Sequence, residues 1–295
     1  MKLPFILRSP MFVPAHNVKL LESAVHREAD ALLLDVEDSV PDVYKQQARE
    51  NIIRYAQRGD LGGKLLFPRV NDRESGELLK DAYQLTVNGI AGFVYPKANK
   101  AEDVYFFGKL LETIEYEKGV PIGSFKIIPL IETTGAIVDI SHICQACSRV
   151  IAVAFGCEDY VTDLCGKHDE AGHSIFVARS MIAIAARAAG IIPIDTVHIK
   201  VHDLADLEKN LILSKNLGFE GMLVLNPREL SLVNQYFTPT QDELSWAELI
   251  LQASADAISE GKGVSLSKGQ FIGPPMVKMA QRIVDRYQAI KEKKQ

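Results

Sequence analysis

One pattern constrains this chain more than any other. Eight times along it, a short and nearly unbroken apolar run gives way to a longer stretch with helical spacing. The runs are Met11–Pro14, Ala31–Asp35, Leu65–Val70, Gly92–Pro96, Ile127–Ile131, Val150–Phe155, Ile194–Ile199 and Gly221–Leu225. Between them fall Asn17–Arg27, with Asn17 as its N-cap, then Val43–Arg58, Ala101–Glu117, Ile175–Ala189 and Leu204–Leu217. Strands that are apolar throughout, rather than alternating, belong to a sheet covered on both faces. Eight such βα units predict an α/β fold, a (β/α)8 barrel. A doubly wound sheet is the rival, but it calls for a glycine-rich turn after the first strand. Pro14-Ala15-His16-Asn17 stands there instead.

After Phe237 the pattern changes. Asp242–Ala257 and Met276–Lys293 read as helices around the glycine-rich run Gly261–Gly269. The expected division is a barrel over 1–237 and a C-terminal helical lid extension over 238–295. The net charge of −5 argues against nucleic acid as the main partner, since such proteins usually present a basic face. No membrane partner is expected either. The most apolar stretch, Met181–Ile194, contains Arg187, Gly190 and Pro193 and falls short of the roughly 18 residues of a span. The start, Met1–Arg8, lacks the pattern of a signal peptide. Four cysteines in 295 residues are no disulfide scaffold, which points to a reducing cytoplasm. The pair Cys144/Cys147 falls in an expected helix, with no second pair at zinc spacing, and reads as structural.

In a barrel of this kind chemistry sits where the strands end. The second run ends in Asp35-Val36-Glu37-Asp38 and the third in Arg69-Val70-Asn71. The fourth ends in Pro96-Lys97, the fifth in Glu132-Thr133 and the sixth in Gly156-Cys157-Glu158-Asp159. A lone acid at a strand end is often only a helix cap. Five charged ends converging on one face are a site. Carboxylate oxygens with little His or Cys suit Mg²⁺ better than Zn²⁺. Arg69 offers a planar fork for a carboxylate. Cys157 lines the expected pocket, His16 follows the first strand, and His168 and His173 fall in a polar loop. Lys19, on the first helix, is a candidate for a phosphate.

Taken in order, these motifs resemble the β subunit of citrate lyase and the citryl-, malyl- and citramalyl-CoA lyases of the HpcH/HpaI aldolase superfamily. The resemblance runs from Arg8 to about Ile283. It rests on Met11-Phe12-Val13-Pro14, Leu34-Asp35-Val36-Glu37-Asp38-Ser39-Val40, Lys45 with Ala48-Arg49, and Pro68-Arg69-Val70-Asn71. It continues through Pro96-Lys97, Ile131-Glu132-Thr133, Phe155-Gly156-Cys157-Glu158-Asp159-Tyr160, Ala178-Arg179-Ser180 and Ala185–Ile191. Asp195-Thr196-Val197, Gly218–Gly221 and Phe237-Thr238-Pro239-Thr240 complete it.

The resemblance implies a TIM barrel holding Mg²⁺ on Glu132 and Asp159, with Arg69 on the substrate's carboxylate or carbonyl oxygens. It implies cleavage of a 3-hydroxyacyl thioester, carried on CoA or an acyl-carrier protein, into an acetyl thioester and a keto acid. It also implies a homotrimer. Two departures stand out. The family's first turn usually has Gly after Pro, where this chain has Ala15. Many of its lyases carry an acid in the lid, where this chain has Gly273. Without that acid, metal-bound water or the barrel acids Glu37 and Asp38 must handle the proton, although those two acids are also placed to order Lys45 or Arg69. The alternatives are a metal-dependent aldolase on a CoA-free hydroxy acid and a non-catalytic thioester-binding paralogue.

Overall fold

The computed structural model describes residues 5–59, 61–169, 171–200, 202–259, 265–267 and 270–293. Two compact units emerge. One is Leu7–Asn234; the other takes in the described residues from Gln235 onward together with Phe5 and Ile6.

Leu7–Asn234 is a (β/α)8 barrel. Its strands are β1 (Pro10–Pro14), β2 (Ala31–Asp35), β3 (Leu65–Arg69), β4 (Gly92–Tyr95), β5 (Lys126–Ile131), β6 (Ala152–Phe155), β7 (Ile192–Asp195) and β8 (Gly221–Met222). They lie side by side in chain order, every pairing parallel. The ring closes where Met11 bridges Val224, with the Phe12 N–H donating to the Val224 carbonyl and the Val224 N–H to the Pro10 carbonyl, each at 2.9 Å. Closure needs a glycine. A Cβ on Gly221 would lie 1.9 Å from the Leu7 carbonyl oxygen, so any side chain there would force β1 and β8 apart.

The strands are apolar because the barrel lumen packs one of their faces and the helices cover the other. All five residues of β2 are buried. Leu32, Leu34, Phe67, Phe93, Ile127 and Phe155 are each at most 1% exposed. Four buried ion pairs brace this core: Arg8–Asp30 at 2.8 Å, Arg49–Asp81 at 2.6 Å, and Arg149–Glu115 and Arg179–Asp195 at 2.5 Å. Each arginine has a carboxylate partner, as an enclosed charge requires.

The observed elements correct several expected boundaries. β6 begins at Ala152, with Val150 contributing only a single bridge to Ile127. β7 starts two residues earlier than expected and stops at Asp195, whose carboxylate takes Arg179 and the Thr196 N–H and so turns the chain out of the sheet. Pro193 sits inside β7 without cost to the ladder on that side, because its carbonyl still accepts from the Glu220 N–H. The helix before β6 ends at Ile143, so Cys144 and Cys147 lie beyond it. Asn17 does cap the first helix, its side chain accepting from the Leu20 N–H. An additional helix, Leu78–Leu85, buries Leu78, Asp81, Ala82 and Leu85.

In the second unit, helices Gln241–Ser259 and Pro274–Lys293 pack through Ala247, Ile250 and Ala280, with Ile272 beside them. The short strands Ser265–Ser267 and Gln270–Ile272 pair antiparallel. Most of the glycine-rich run read from sequence lies outside the described residues. Gly273 is buried, and its carbonyl accepts from the Met276 N–H at 3.0 Å to start the last helix. Among the described residues no helix is long and apolar enough to cross a membrane.

Candidate active site

Register brings the chemistry together. Pro14 pairs with Asp35, Asp35 with Arg69, and Arg69 with Val94, so the ends of β1 to β4 form one row. Ile131 pairs with Phe155, which sets Glu132 beside Gly156. A cavity of about 420 Å³ opens there. Asp35, Arg69, Glu132, Glu158 and Asp159 supply its charge; Phe12, Leu130, Val197 and Leu223 supply apolar wall.

Arg69 is held on nearly every side. Its Nε and one terminal nitrogen grip both oxygens of Asp35 at 2.7 and 2.8 Å. The other terminal nitrogen reaches Glu37 at 2.8 Å and Asp38 at 3.4 Å. The guanidinium carbon lies 5.0 Å from the Phe12 ring centre, a cation–π contact. Burial opposes a charge on Asp35, but the Arg69 fork and the Ser39 hydroxyl outweigh it and hold the carboxyl below its usual range. Asp38 is the exposed member of the group.

Lys97 joins this group to the next. Its Nζ lies 3.0 Å from Glu37 and 3.4 Å from Asp72. Its backbone is left-handed, with φ of 48°, a conformation a lysine adopts only under local constraint. The constraint is visible: the Lys97 N–H donates to Glu132 Oε2 at 2.9 Å. Burial pushes Glu37 up to about 7 despite Arg69 and Lys97, with Asp38 adding repulsion.

Glu132 is 3% exposed. Apart from the Lys97 N–H, no described donor satisfies it, and no basic side chain pairs with it among the described residues. Burial pushes its carboxyl up to about 8, and the charges of Glu37 and Asp159 work the same way. Gly156 makes room for it: a Cβ there would lie 2.6 Å from Glu132 Cγ. Asp159 and Glu158 stand exposed on the first turn of helix Cys157–Asp163 and line the same cavity. An uncompensated buried carboxylate facing a second carboxylate across open space is an oxygen donor set that fits Mg²⁺.

The cavity thus gathers Arg69, Glu132 and Asp159, with Glu37 bound to Arg69 behind it. Lys45 turns away from both Glu37 and Asp38, its Nζ donating to Asn71 Oδ1 and the Val36 carbonyl. Lys19 is exposed on helix Val18–Val25, next to Leu20 of the cavity wall, and no phosphate pocket surrounds it among the described residues. His16 stacks on Tyr44 at 5.7 Å rather than lining the cavity. His173 opens helix His173–Ala189 and meets Asp169, while His168 meets Glu158 at 2.9 Å. Burial pushes the Cys157 thiol up to about 12, which removes it as a nucleophile. Sequence reasoning places Asp35, Gly156 and Glu158 at strand ends without giving them roles; the structure shows Asp35 gripping Arg69, Gly156 making room for Glu132 and Glu158 lining the cavity.

A model of the HpcH/HpaI aldolase/citrate lyase family matches residues 8–227. The citrate lyase subunit beta of Leuconostoc mesenteroides subsp. cremoris is 32% identical over 277 residues, covering 94% of this chain and 92% of its own. The mitochondrial citramalyl-CoA lyase of Homo sapiens is 28% identical over 297 residues, covering 97% of this chain and 87% of its own. Among solved structures, protein CitE from Mycobacterium tuberculosis, in complex with magnesium, acetoacetate and coenzyme A, superposes with a TM-score of 0.76 at 23% identity, covering 97% of this chain and 99% of that one. A citrate lyase from Burkholderia xenovorans LB400 gives a TM-score of 0.84 at 19% identity, covering 97% and 93%. The chain belongs to the HpcH/HpaI aldolase/citrate lyase family.

Proposed function

We propose that this chain is a Mg²⁺-dependent carbon–carbon lyase that cleaves a 3-hydroxyacyl thioester into an acetyl thioester and a keto acid. Glu132 and Asp159 hold the cation. One observation carries the reading: Glu132 is a buried carboxylate without a counter-charge, aimed into a cavity with Asp159 on its rim. When bound, Mg²⁺ supplies Lewis-acid stabilisation of charge developing on substrate oxygen. Arg69 faces the same cavity and positions an anionic substrate. Asp35 and Glu37 fix its guanidinium, so its remaining N–H groups are already oriented. Leu130, Val197 and Leu223 exclude water from the reacting carbons.

The relatives named for citrate lyase and citramalyl-CoA lyase support a thioester substrate, carried on CoA or on an acyl-carrier protein. A homotrimer and a lid role for the residues after 237 complete the proposal and rest on the family resemblance, and a cytoplasmic location rests on the four cysteines in 295 residues. Gly273 favours one second reading, a metal-dependent aldolase on a CoA-free hydroxy acid, because it removes the acid that a thioester lyase uses on the acetyl carbon.

Glu132→Gln keeps the shape of the ligand and deletes its charge. Mg²⁺ affinity is expected to fall at least about tenfold by calorimetry. At concentrations near 100 times the unmodified protein's dissociation constant, a tenfold loss should cut the Mg²⁺-dependent stabilisation from roughly 2.7 to roughly 1.4 kcal/mol. A parallel screen of malyl-, citramalyl- and citryl-CoA with product detection identifies the acid. Unchanged Mg²⁺ binding in both Glu132→Gln and Asp159→Asn would overturn the assignment.

A further inference from the structure

We propose that Cys157, Glu158 and His168 form a second cation site, for a thiophilic divalent ion of the Zn²⁺ class. It lies on the cavity rim and is separate from the Glu132/Asp159 pair. The ligand atoms, one sulfur, one carboxylate oxygen and one imidazole nitrogen, all lie within 4.8 Å of one another. Cys157 Sγ is 3.5 Å from Glu158 Oε1, and His168 Nε2 is 2.9 Å from that same oxygen. Tetrahedral zinc, with bonds of roughly 2.3 Å to sulfur and about 2.1 Å to nitrogen and oxygen, separates its ligands by roughly 3.3–3.6 Å. The Cys157–Glu158 separation already fits, and closure on an ion requires the imidazole to draw back about half an ångström from Glu158 and to settle roughly 3.6 Å from Cys157 Sγ, which lies within 4.8 Å. Three protein ligands leave the fourth position for water.

The fold supports this arrangement independently of any ion. Cys157 and Glu158 open helix Cys157–Asp163, and the Cys157 N–H is fixed on Thr196 Oγ1 at 3.2 Å. His168 returns from the loop after that helix, and both it and Glu158 are reachable from solvent. The two cation sites select by donor type. Mg²⁺ takes carboxylate oxygens and shuns thiolate and imidazole, whereas Zn²⁺ prefers them. As the metal–sulfur bond forms, the thiol proton leaves to solvent. Because Cys157 and Glu158 line the cavity and Asp159 follows directly, an ion there narrows the entrance and places positive charge beside the Mg²⁺ ligands. Zinc is therefore an inhibitor of the Mg²⁺-dependent reaction.

The test is a Cd²⁺ titration of the full chain in excess Mg²⁺, reading the ultraviolet thiolate-to-metal charge-transfer band. One ion per chain is expected, with the band absent in Cys157→Ser. In His168→Gln, a variant outside the Mg²⁺ and substrate machinery, cadmium affinity should fall at least about tenfold. Zinc inhibition of turnover should weaken by the same factor, with Mg²⁺-dependent activity unchanged. A band that persists in Cys157→Ser assigns the ion to Cys144, Cys147 or Cys165 and overturns the proposal. So does the lack of a band in the unmodified protein, or an unaltered affinity in His168→Gln.

Discussion

The strand ends of this barrel hold two groups of acids that look alike in sequence and differ in charge balance. At β2 to β4, Asp35, Glu37 and Asp38 face Arg69 and Lys97, and each buried carboxylate lies within ion-pairing distance of a cation. At β5 and β6, Glu132, Glu158 and Asp159 line the cavity, and among the described residues only Glu158 has a basic ion-pair partner, His168. The first group is a scaffold in which each buried carboxylate has a cation. In the second, burial and like charges oppose ionisation of Glu132, at a place where a cation from solution can supply the balance. Position alone does not make a ligand; the missing partner does.

The largest expected effect breaks the first group. Arg69→Ala leaves Asp35, 1% exposed, without its fork. Removing one partner of a buried pair typically costs about 3–5 kcal/mol, which a urea midpoint will register. Arg69→Lys should not restore it, since one ammonium cannot match two carboxylate oxygens at 2.7 and 2.8 Å. Turnover should fall more than about tenfold, or 1.4 kcal/mol, in kcat/KM. A variant with full stability and lost turnover would show that Asp35 does not depend on Arg69, and the scaffold half of the comparison would fall.

A smaller effect sharpens the second group. Gly156→Ala places a methyl 2.6 Å from Glu132 Cγ and 3.0 Å from its Oε1. Overpacking of this kind costs about 1–3 kcal/mol. The side chain that must move is the proposed ligand, so Mg²⁺ affinity should drop by about tenfold or more as well. Calorimetry that finds destabilisation with intact Mg²⁺ binding would take Glu132 out of the ligand set.

Much of this was legible in the chain, and the parts that were not share a cause. The eight strands read directly because both faces are covered, so each is apolar without interruption. The charged ends followed from barrel geometry. Leu78–Leu85 carries a helical period, with Leu78, Ala82 and Leu85 buried, but its single turn pair is short enough to pass as loop. β7 was misplaced because Pro193 marks a break in most sheets, and here the strand simply runs through it. Which acid pairs with which base is set by register across strands far apart in sequence. Asp35 and Arg69 meet only because β2 and β3 align them. Gly156 likewise acquires its meaning from Glu132, a neighbour on another strand.

The comparison also bears on the proton at the acetyl carbon. Asp35 and Glu37 are committed to Arg69 and Lys97, and Glu132 and Asp159 to the proposed cation. None of these is free as general acid or base, so in the lyase reading proton transfer falls to water, to the exposed Asp38 or to a group outside the barrel strands. The family resemblance implies that many of its lyases carry an acid where this chain has Gly273. Gly273→Asp restores it, at a buried position where the helix start must hold the new carboxylate. The new carboxylate sits at the N-cap of helix Pro274–Lys293, whose first turn holds no acid and whose first two positions are prolines without N–H. It can accept from the Met276 N–H, which now donates to the Gly273 carbonyl at 3.0 Å. Caps of this type differ from glycine by only a few tenths of a kcal/mol. Cleavage of citramalyl- or malyl-CoA should rise at least tenfold, a threshold set below the about 10²–10⁴-fold that general acid–base catalysis supplies. If cleavage stays flat while the unmodified protein rapidly turns over a CoA-free hydroxy acid, the thioester reading yields to the aldolase, and the acids of the barrel must be reassigned around a substrate without an acetyl carbon.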